Sequence, residues 1–271
     1  MSLNNLIDIG ANLTHDSFDA DRAKVLADAQ SAGVERFIVT GASVAGSEAG
    51  LALAKAHPGT LFATAGVHPH HAKDWQDGDA DTLRELLTHD AVVAAGECGL
   101  DHFRNFSTPQ QQADVFEQQL ALAADSGKPI FLHQRDAHAQ FLEILDPWLP
   151  KLADAVAHCF TGEGHELRDY IERGLYIGIT GWICDERRGH HLIELIREIP
   201  EDRLMIETDA PYLMPRTIRP KPKSRRNEPK YLPVVLDAVA AAAGRSGTDV
   251  ARDTTRNAIR FFRLPDTQPV S

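Results

Sequence analysis

The chain has 271 residues, 43% hydrophobic and 25% charged, near the ~250 residues of one closed (β/α)8 barrel and ordinary for a globular protein. Its net charge of −11 excludes a general nucleic-acid binder, and no apolar run approaches the ~20 residues of a membrane span. Cys98, Cys159 and Cys184 are too few and too far apart for a disulfide framework, and Met1–Asn5 has neither the basic nor the apolar region of an export signal, so a cytoplasmic location is expected.

Strand-like apolar runs alternate with amphipathic stretches along the chain. The first strand is Leu6–Ile9, followed by Gly10-Ala11-Asn12. A helix over Asp19–Ala32 sets Val25, Leu26 and Ala29 at helical spacing and stops at Gly33. Arg36–Thr40 and Leu61–Ala65 are the next strands, and the latter runs into Gly66-Val67-His68-Pro69-His70. Val92–Ala95 leads to Gly96-Glu97-Cys98-Gly99. A helix over Thr108–Ser126 carries Phe116, Leu120 and Ala123 inward and ends at Gly127. Ile130–Leu132 ends in His133, Ala155–Ala157 in His158, and Gly174 precedes Leu175–Ile179. Leu204–Ile206 ends in Glu207-Thr208-Asp209. A proline-rich stretch from Pro211 to Pro233 is a long loop, before helices over Leu232–Ala243 and Thr248–Phe261. Eight strands alternating with helices predict parallel βαβ units closed into a single TIM-type (β/α)8 barrel of the α/β class, one domain over residues 1–271. No Gly-x-Gly-x-x-Gly, P-loop or Gly-x-Ser-x-Gly elbow is present, which argues against nucleotide cofactors and serine hydrolysis.

Such barrels keep their chemistry at the C-terminal ends of the strands. Glu97, His133, His158 and Asp209 stand at four of these ends. Oxygen and nitrogen donors of this kind suit a divalent cation, and Asp209 can also take a proton from water. Taken singly, Glu97 is equally a rim salt bridge and each histidine a hydrogen-bonded core residue; their recurrence at successive strand ends favours the metal site. Glu207 shares a face with Asp209 and is a supporting carboxylate, as is Asp101. His68 and His70 are read as phosphate or proton-transfer groups rather than ligands, and Arg135 as a phosphate fork. Cys98 and Cys159, one residue past functional neighbours, are expected to face the helices. Between Pro215 and Lys230, seven basic residues face one acid, Glu228, about +6 on a body of about −17. That strip is either a solvated loop or a contact for a short length of phosphodiester backbone.

Gly66-Val67-His68-Pro69-His70, Gly96-Glu97-Cys98-Gly99-Leu100-Asp101, His133-Gln134-Arg135-Asp136, His158-Cys159-Phe160-Thr161-Gly162, Glu207-Thr208-Asp209-Ala210-Pro211-Tyr212-Leu213 and Asn227-Glu228-Pro229 resemble, in order, the motifs of the TatD family of metal-dependent deoxyribonucleases. The likeness runs from Asp8 to the last helices, and the stretches from Arg104 and from Asp185 to Arg188 resemble the family's bacterial branch. The resemblance implies a TIM barrel, a divalent metal such as Mg²⁺ (with Mn²⁺ or Zn²⁺ as alternatives), and 3′→5′ hydrolysis of single-stranded DNA in repair. It matches Glu97, His133 and His158 to metal ligands and Asp209 to the family's carboxylate, a fourth ligand; beside it, Asp209, Glu97, His68 and His70 are read as catalytic and Arg135, Arg225, Arg226 and Asn227 as substrate contacts. Many members carry His-x-His after the first strand where this chain has Gly10 and Asn12, leaving one or two ions to be held. Two other readings are a small-molecule ester or amide hydrolase of the amidohydrolase type, and a non-catalytic nucleic-acid-binding relative. A complete barrel without a sticky stripe predicts a monomer.

Overall fold

The structure, a computed structural model, describes residues 5–265; the Met1–Asn4 stretch behind the export-signal expectation lies outside the described residues. Its strands are β1 (Leu6–Ala11), β2 (Val34–Val39), β3 (Leu61–Ala65), β4 (Val92–Asp101), β5 (Ile130–Arg135), β6 (Ala155–Ala157), β7 (Tyr176–Ile179) and β8 (Leu204–Ile206). The helices are α1 (Arg22–Ser31), α2 (Val44–Ala56), α3 (Asp79–Leu87), α4 (Pro109–Ser126), α5 (His138–Leu145), α6 (Gly164–Glu172), α7 (His190–Leu195), α8 (Leu232–Ala243) and α9 (Gly247–Phe262). The strands lie in sequence order, each parallel to the next. The ring closes between β8 and β1, where Asp209 N–H donates to Gly10 O at 2.8 Å and Asn12 N–H to Ala210 O at 2.7 Å. The predicted TIM-type barrel is therefore the observed fold.

Local chemistry accounts for the elements. Apolar residues cover both faces of strands sandwiched between interior and helices, so β1, β3 and β6 are buried along their whole length. Thr108 and Gln111 form a capping box at the start of α4, Pro109 fills its first turn, and Gly127 ends it at φ 64°.

Two cores result. Between strands and helices lie Val39, Leu61, Val92, Leu132, Phe116, Phe141 and Leu236. Inside the barrel, Ile7, Ile9, Ile38, Phe62, Val93, Phe131, Val156 and Met205 pack against Phe261 and Phe262 of α9. Helix α9 plugs the N-terminal end of the barrel: Asn257 Nδ2 donates to Leu204 O and Glu201 O, both at 2.8 Å. The floor is thus apolar and sealed, and polar groups gather at the opposite mouth. Among the described residues no helix is long and apolar enough to cross a membrane.

Three strands run past their expected ends, β1 by two residues to Ala11 and two others by more. β4 continues past Ala95 to Asp101, and β5 past Leu132 to Arg135, so Glu97 and His133 lie within strands rather than after them. The β4–β5 register shifts between Gly96 and Cys98, leaving Glu97 on a bulge. Gly96 has φ 110°, and a Cβ there would overlap Phe131 O. Only glycine fits this turn of the strand.

The floor can be tested. Phe261→Ala should destabilise the protein by ~3–5 kcal/mol in urea unfolding. A loss under ~1 kcal/mol would mean that α9 does not seal the interior.

Candidate metal centre

Side chains on β4 and β5 and just past β3 and β6 meet at Glu97. Its Oε1 lies 2.7 Å from His158 Nε2, 3.1 Å from His133 Nδ1 and 3.3 Å from His68 Nε2. Donor atoms of His68, Glu97 and His133 all fall within 4.8 Å of one another. His68, read from sequence as a substrate or proton-transfer residue, thus belongs to the tightest donor set, while His158 joins through Glu97.

Two of these imidazoles, His133 and His158, are braced by a second carboxylate, while His68 Nδ1 accepts from His70 N–H at 3.0 Å. His133 Nε2 lies 3.3 Å and His70 Nε2 2.8 Å from Asp101 Oδ2. His158 Nδ1 lies 3.3 Å from Glu207 Oε2. Asp101 is itself fixed: Arg104 N–H donates to its Oδ1 at 2.8 Å, and Gln112 of α4 holds its main chain. Such outer contacts orient ligands before a cation arrives.

The charges follow from this packing. Burial works against the charge on Glu97, but His158, His68 and hydrogen bonding from His133 outweigh it and hold the carboxyl well below its usual range. Burial likewise opposes protonation of His158, and Glu97 and Glu207 override it, holding the imidazolium far up. His133 is raised the same way by Asp101 and Glu97. For His68 burial wins and lowers it to about 4. Asp209, at the mouth beyond β8, is raised to about 7 by burial, despite the opposing pull of His158, with Glu97 and Glu207 adding to the rise. Asn12 Nδ2 donates to its Oδ1 at 3.0 Å.

Beneath lies a carboxylate layer that only partly announces itself in sequence. Asp8 is fully buried, accepting from Thr208 N–H at 2.9 Å and Thr208 Oγ1 at 2.5 Å, and burial raises it to about 7. Its signal was the lone acid within Leu6-Ile7-Asp8-Ile9. Glu207 is fully buried as well and wedged between two glycines. A Cβ on Gly10 would overlap Glu207 Oε2, and one on Gly178 would lie 2.6 Å from Oε1. The missing His-x-His now has a physical correlate: Glu207 occupies the room a side chain at position 10 needs, and Asn12 engages Asp209.

Other expected residues divide. Cys98 packs into the outer core as predicted. Cys159 does not: at φ 47° it leaves strand geometry, and its Sγ lies 3.7 Å from Thr180 Oγ1 beside the site. The Arg135 guanidinium sits 3.8 Å from the centroid of Phe103 and makes no ion pair among the described residues. Arg226, expected on substrate, instead clamps the long loop to the start of α1, pairing with Asp21 at 2.7 Å and Glu228 at 3.1 Å. Asn227, also expected on substrate, is buried and donates to Thr208 O at 2.8 Å. Arg225 is exposed. With Arg187, Arg219, Lys221 and Lys223 it lines a cleft of about 700 Å³ beside the mouth, floored by Trp182, Leu213 and Met214. These five cations make no ion pair among the described residues, whereas Arg188 and Arg216 share Asp185.

Comparison with known proteins agrees with this geometry. The profile of a family described as TatD related DNase matches residues 7–263. A protein of Erwinia tasmaniensis named 3′-5′ ssDNA/RNA exonuclease TatD is 53% identical over 259 residues, covering 96% of this chain and 100% of the relative. The crystal structure of a hydrolase TatD family protein from Entamoeba histolytica superposes with a TM-score of 0.87 at 26% identity, covering 95% of this chain and 98% of the other. A TatD homologue from Escherichia coli also gives 0.87 at 26% identity, covering 97% and 100%.

The wedge at Gly10 makes a prediction. Gly10→Ala should push Glu207 off His158, costing ~1–3 kcal/mol by overpacking and weakening Mn²⁺ binding measured by calorimetry. Unchanged stability and affinity would show that Glu207 does not hold His158 in place.

Proposed function

The chain belongs to the TatD-related DNase family, and from that premise we propose that it is a metal-dependent 3′→5′ exodeoxyribonuclease acting on single strands. Residues 1–271 make up one hydrolase domain that works as a cytoplasmic monomer in DNA repair. The name of the Erwinia relative includes RNA, so single-stranded RNA is a second substrate class. The observation that carries the reading is the convergence of His158, His133 and His68 on Glu97 Oε1 within 2.7–3.3 Å, at a mouth bordered by a basic cleft.

The donor set fits a divalent cation. It offers carboxylate oxygens and imidazole nitrogens at one point, with carboxylates behind two of the rings. Mg²⁺ is the first choice, with Mn²⁺ and Zn²⁺ accepted by the nitrogen donors, and one or two ions. Glu97, His133, His158 and Asp209 would hold it, and His68, whose donor atom lies within 4.8 Å of those of Glu97 and His133, would be a further ligand. A cation bound there supplies Lewis acidity toward a phosphate oxygen and lowers the pKa of water.

The chain's own groups do the rest. Asp209, steadied by Asn12, positions the attacking water and receives its proton. Buried at the mouth, its carboxylate holds a proton more readily than an exposed one does. His70, held by Asp101, and Arg135 present positive or hydrogen-bonding groups to the phosphate. Arg225, Arg187, Arg219, Lys221 and Lys223 attract the strand beyond the scissile bond. Arg226 and Asn227 serve by shaping that loop. A small neutral ester would leave these cations idle, which favours a polyanionic substrate over the amidohydrolase-type alternative.

Two measurements follow. Glu97→Gln should lower Mg²⁺-dependent release of nucleotides from an end-labelled oligonucleotide by at least ~100-fold with the circular dichroism spectrum retained; a wild-type rate would remove Glu97 from the centre. Arg225→Glu should raise KM and reduce the slope of log KM against log salt by about one. A change confined to kcat would take the loop off the backbone.

A further inference from the structure

Four large hydrophobic side chains are exposed among the described residues: Phe103 at 54%, Phe106 at 55%, Tyr212 at 51% and Ile193 at 42%. Phe103 and Phe106 share the loop between β4 and α4, directly after Asp101 of the centre. Tyr212 follows β8, its N–H donating to Asp209 O at 2.9 Å. Strands four places apart lie opposite one another in an eight-stranded ring, so the aromatics flank the mouth from opposite sides.

Their contacts lead to the chemistry. The Phe106 ring lies 4.8 Å, edge-on, from His70, whose ring is 4.2 Å from His68. Phe103 carries the Arg135 guanidinium on one face. Tyr212 meets His15 edge-on at 5.8 Å. An exposed phenyl ring has no polar tip to satisfy, and clustered at a mouth such rings mark a surface that something flat and apolar covers.

We propose that Phe103, Phe106 and Tyr212 form a stacking collar that receives the unpaired bases of a nucleic-acid strand whose backbone enters the basic cleft. The inference rests on the nuclease reading and adds what selects the strand. Aromatic stacking accepts every base, as an enzyme that shortens arbitrary sequences requires. It also needs free base faces, which a duplex does not offer. The cations contribute attraction that ignores strandedness; the collar contributes the discrimination.

The test compares an oligothymidylate with an abasic strand of the same length, whose backbone charge is equal. In Mg²⁺, wild-type KM should be ~5- to 100-fold lower for the base-bearing strand, the range expected for one stacked base. Phe103→Ala with Phe106→Ala, and Tyr212→Ala separately, should each shrink that ratio several-fold, and Tyr212→Phe should restore it. Melting temperatures identify any variant that fails to fold. An unshrunk ratio, a wild type that treats the two strands alike, or a Tyr212→Phe as impaired as Tyr212→Ala would overturn the collar. Fluorescence anisotropy of the same labelled strands in Ca²⁺ makes the comparison without turnover. Preserved discrimination there, with no cleavage in Mg²⁺, would retain the collar and sink the nuclease reading.

Discussion

A carboxylate buried at the top of a barrel is stable only where opposite charge or a cation meets it, and the site is organised around that requirement at Glu97. His158 and His133, both with raised pKa, supply the opposite charge, and His68 lies within 3.3 Å beside them. The first two in turn are anchored from behind, His133 by Asp101 and His158 by Glu207. Alternating positive and negative groups make the cluster mutually supporting, and removal of one member leaves its neighbours buried without a partner. The backbone serves the same end. The bulge at Gly96 offsets Glu97 from the regular alternation while Cys98 and Leu100 remain in the outer core.

Period and punctuation made the barrel legible. Leu61–Ala65, Ala155–Ala157 and Leu204–Ile206 have the expected bounds, because each is a short apolar run ended by glycine or a polar residue. The donors were legible for the same reason: a hydrophilic group terminating such a run has a costly position and needs a reason to be there. What escaped depended on tertiary pairing. β4 runs on past Gly96 because β5 continues beside it, which no local pattern encodes. Cys159 abandons alternation through a left-handed backbone. Arg225 and Arg226 are identical in sequence terms, yet only Arg226 meets an acid, Asp21, some 205 positions away. A run of charges does not reveal which members are spent on the fold.

The first strand shows how a departure from a family pattern is accommodated. Glycine at position 10 is an absence in sequence but an occupied volume in three dimensions, filled by Glu207 between Gly10 and Gly178. The same carboxylate accepts Cys159 N–H at 2.5 Å. One buried side chain therefore fixes the direction of His158 and the turn that follows it. Two imidazoles at positions 10 and 12 would compete for the space and charge that Glu207 and Asn12 now manage. In this chain glycine at 10 leaves the room that Glu207 takes.

The division of charge over the surface bears on how such a site handles a polymer. With a net charge of −11, the protein as a whole repels a phosphodiester strand, and the cations beside the mouth supply a local attraction. Repulsion elsewhere disfavours unproductive binding, while the local field draws the strand toward the one place where hydrolysis occurs. Part of the strip is neutralised within the fold, since Asp185 takes Arg216 along with Arg188 and Glu228 takes Arg226 and Lys230, which leaves Arg219, Lys221, Lys223 and Arg225 without an ion pair among the described residues. The remaining cations number few enough that a shortened strand, making fewer phosphate contacts, dissociates readily. Weak electrostatic capture beside the candidate metal centre is thus suited to removing nucleotides from an end rather than to holding long nucleic acid.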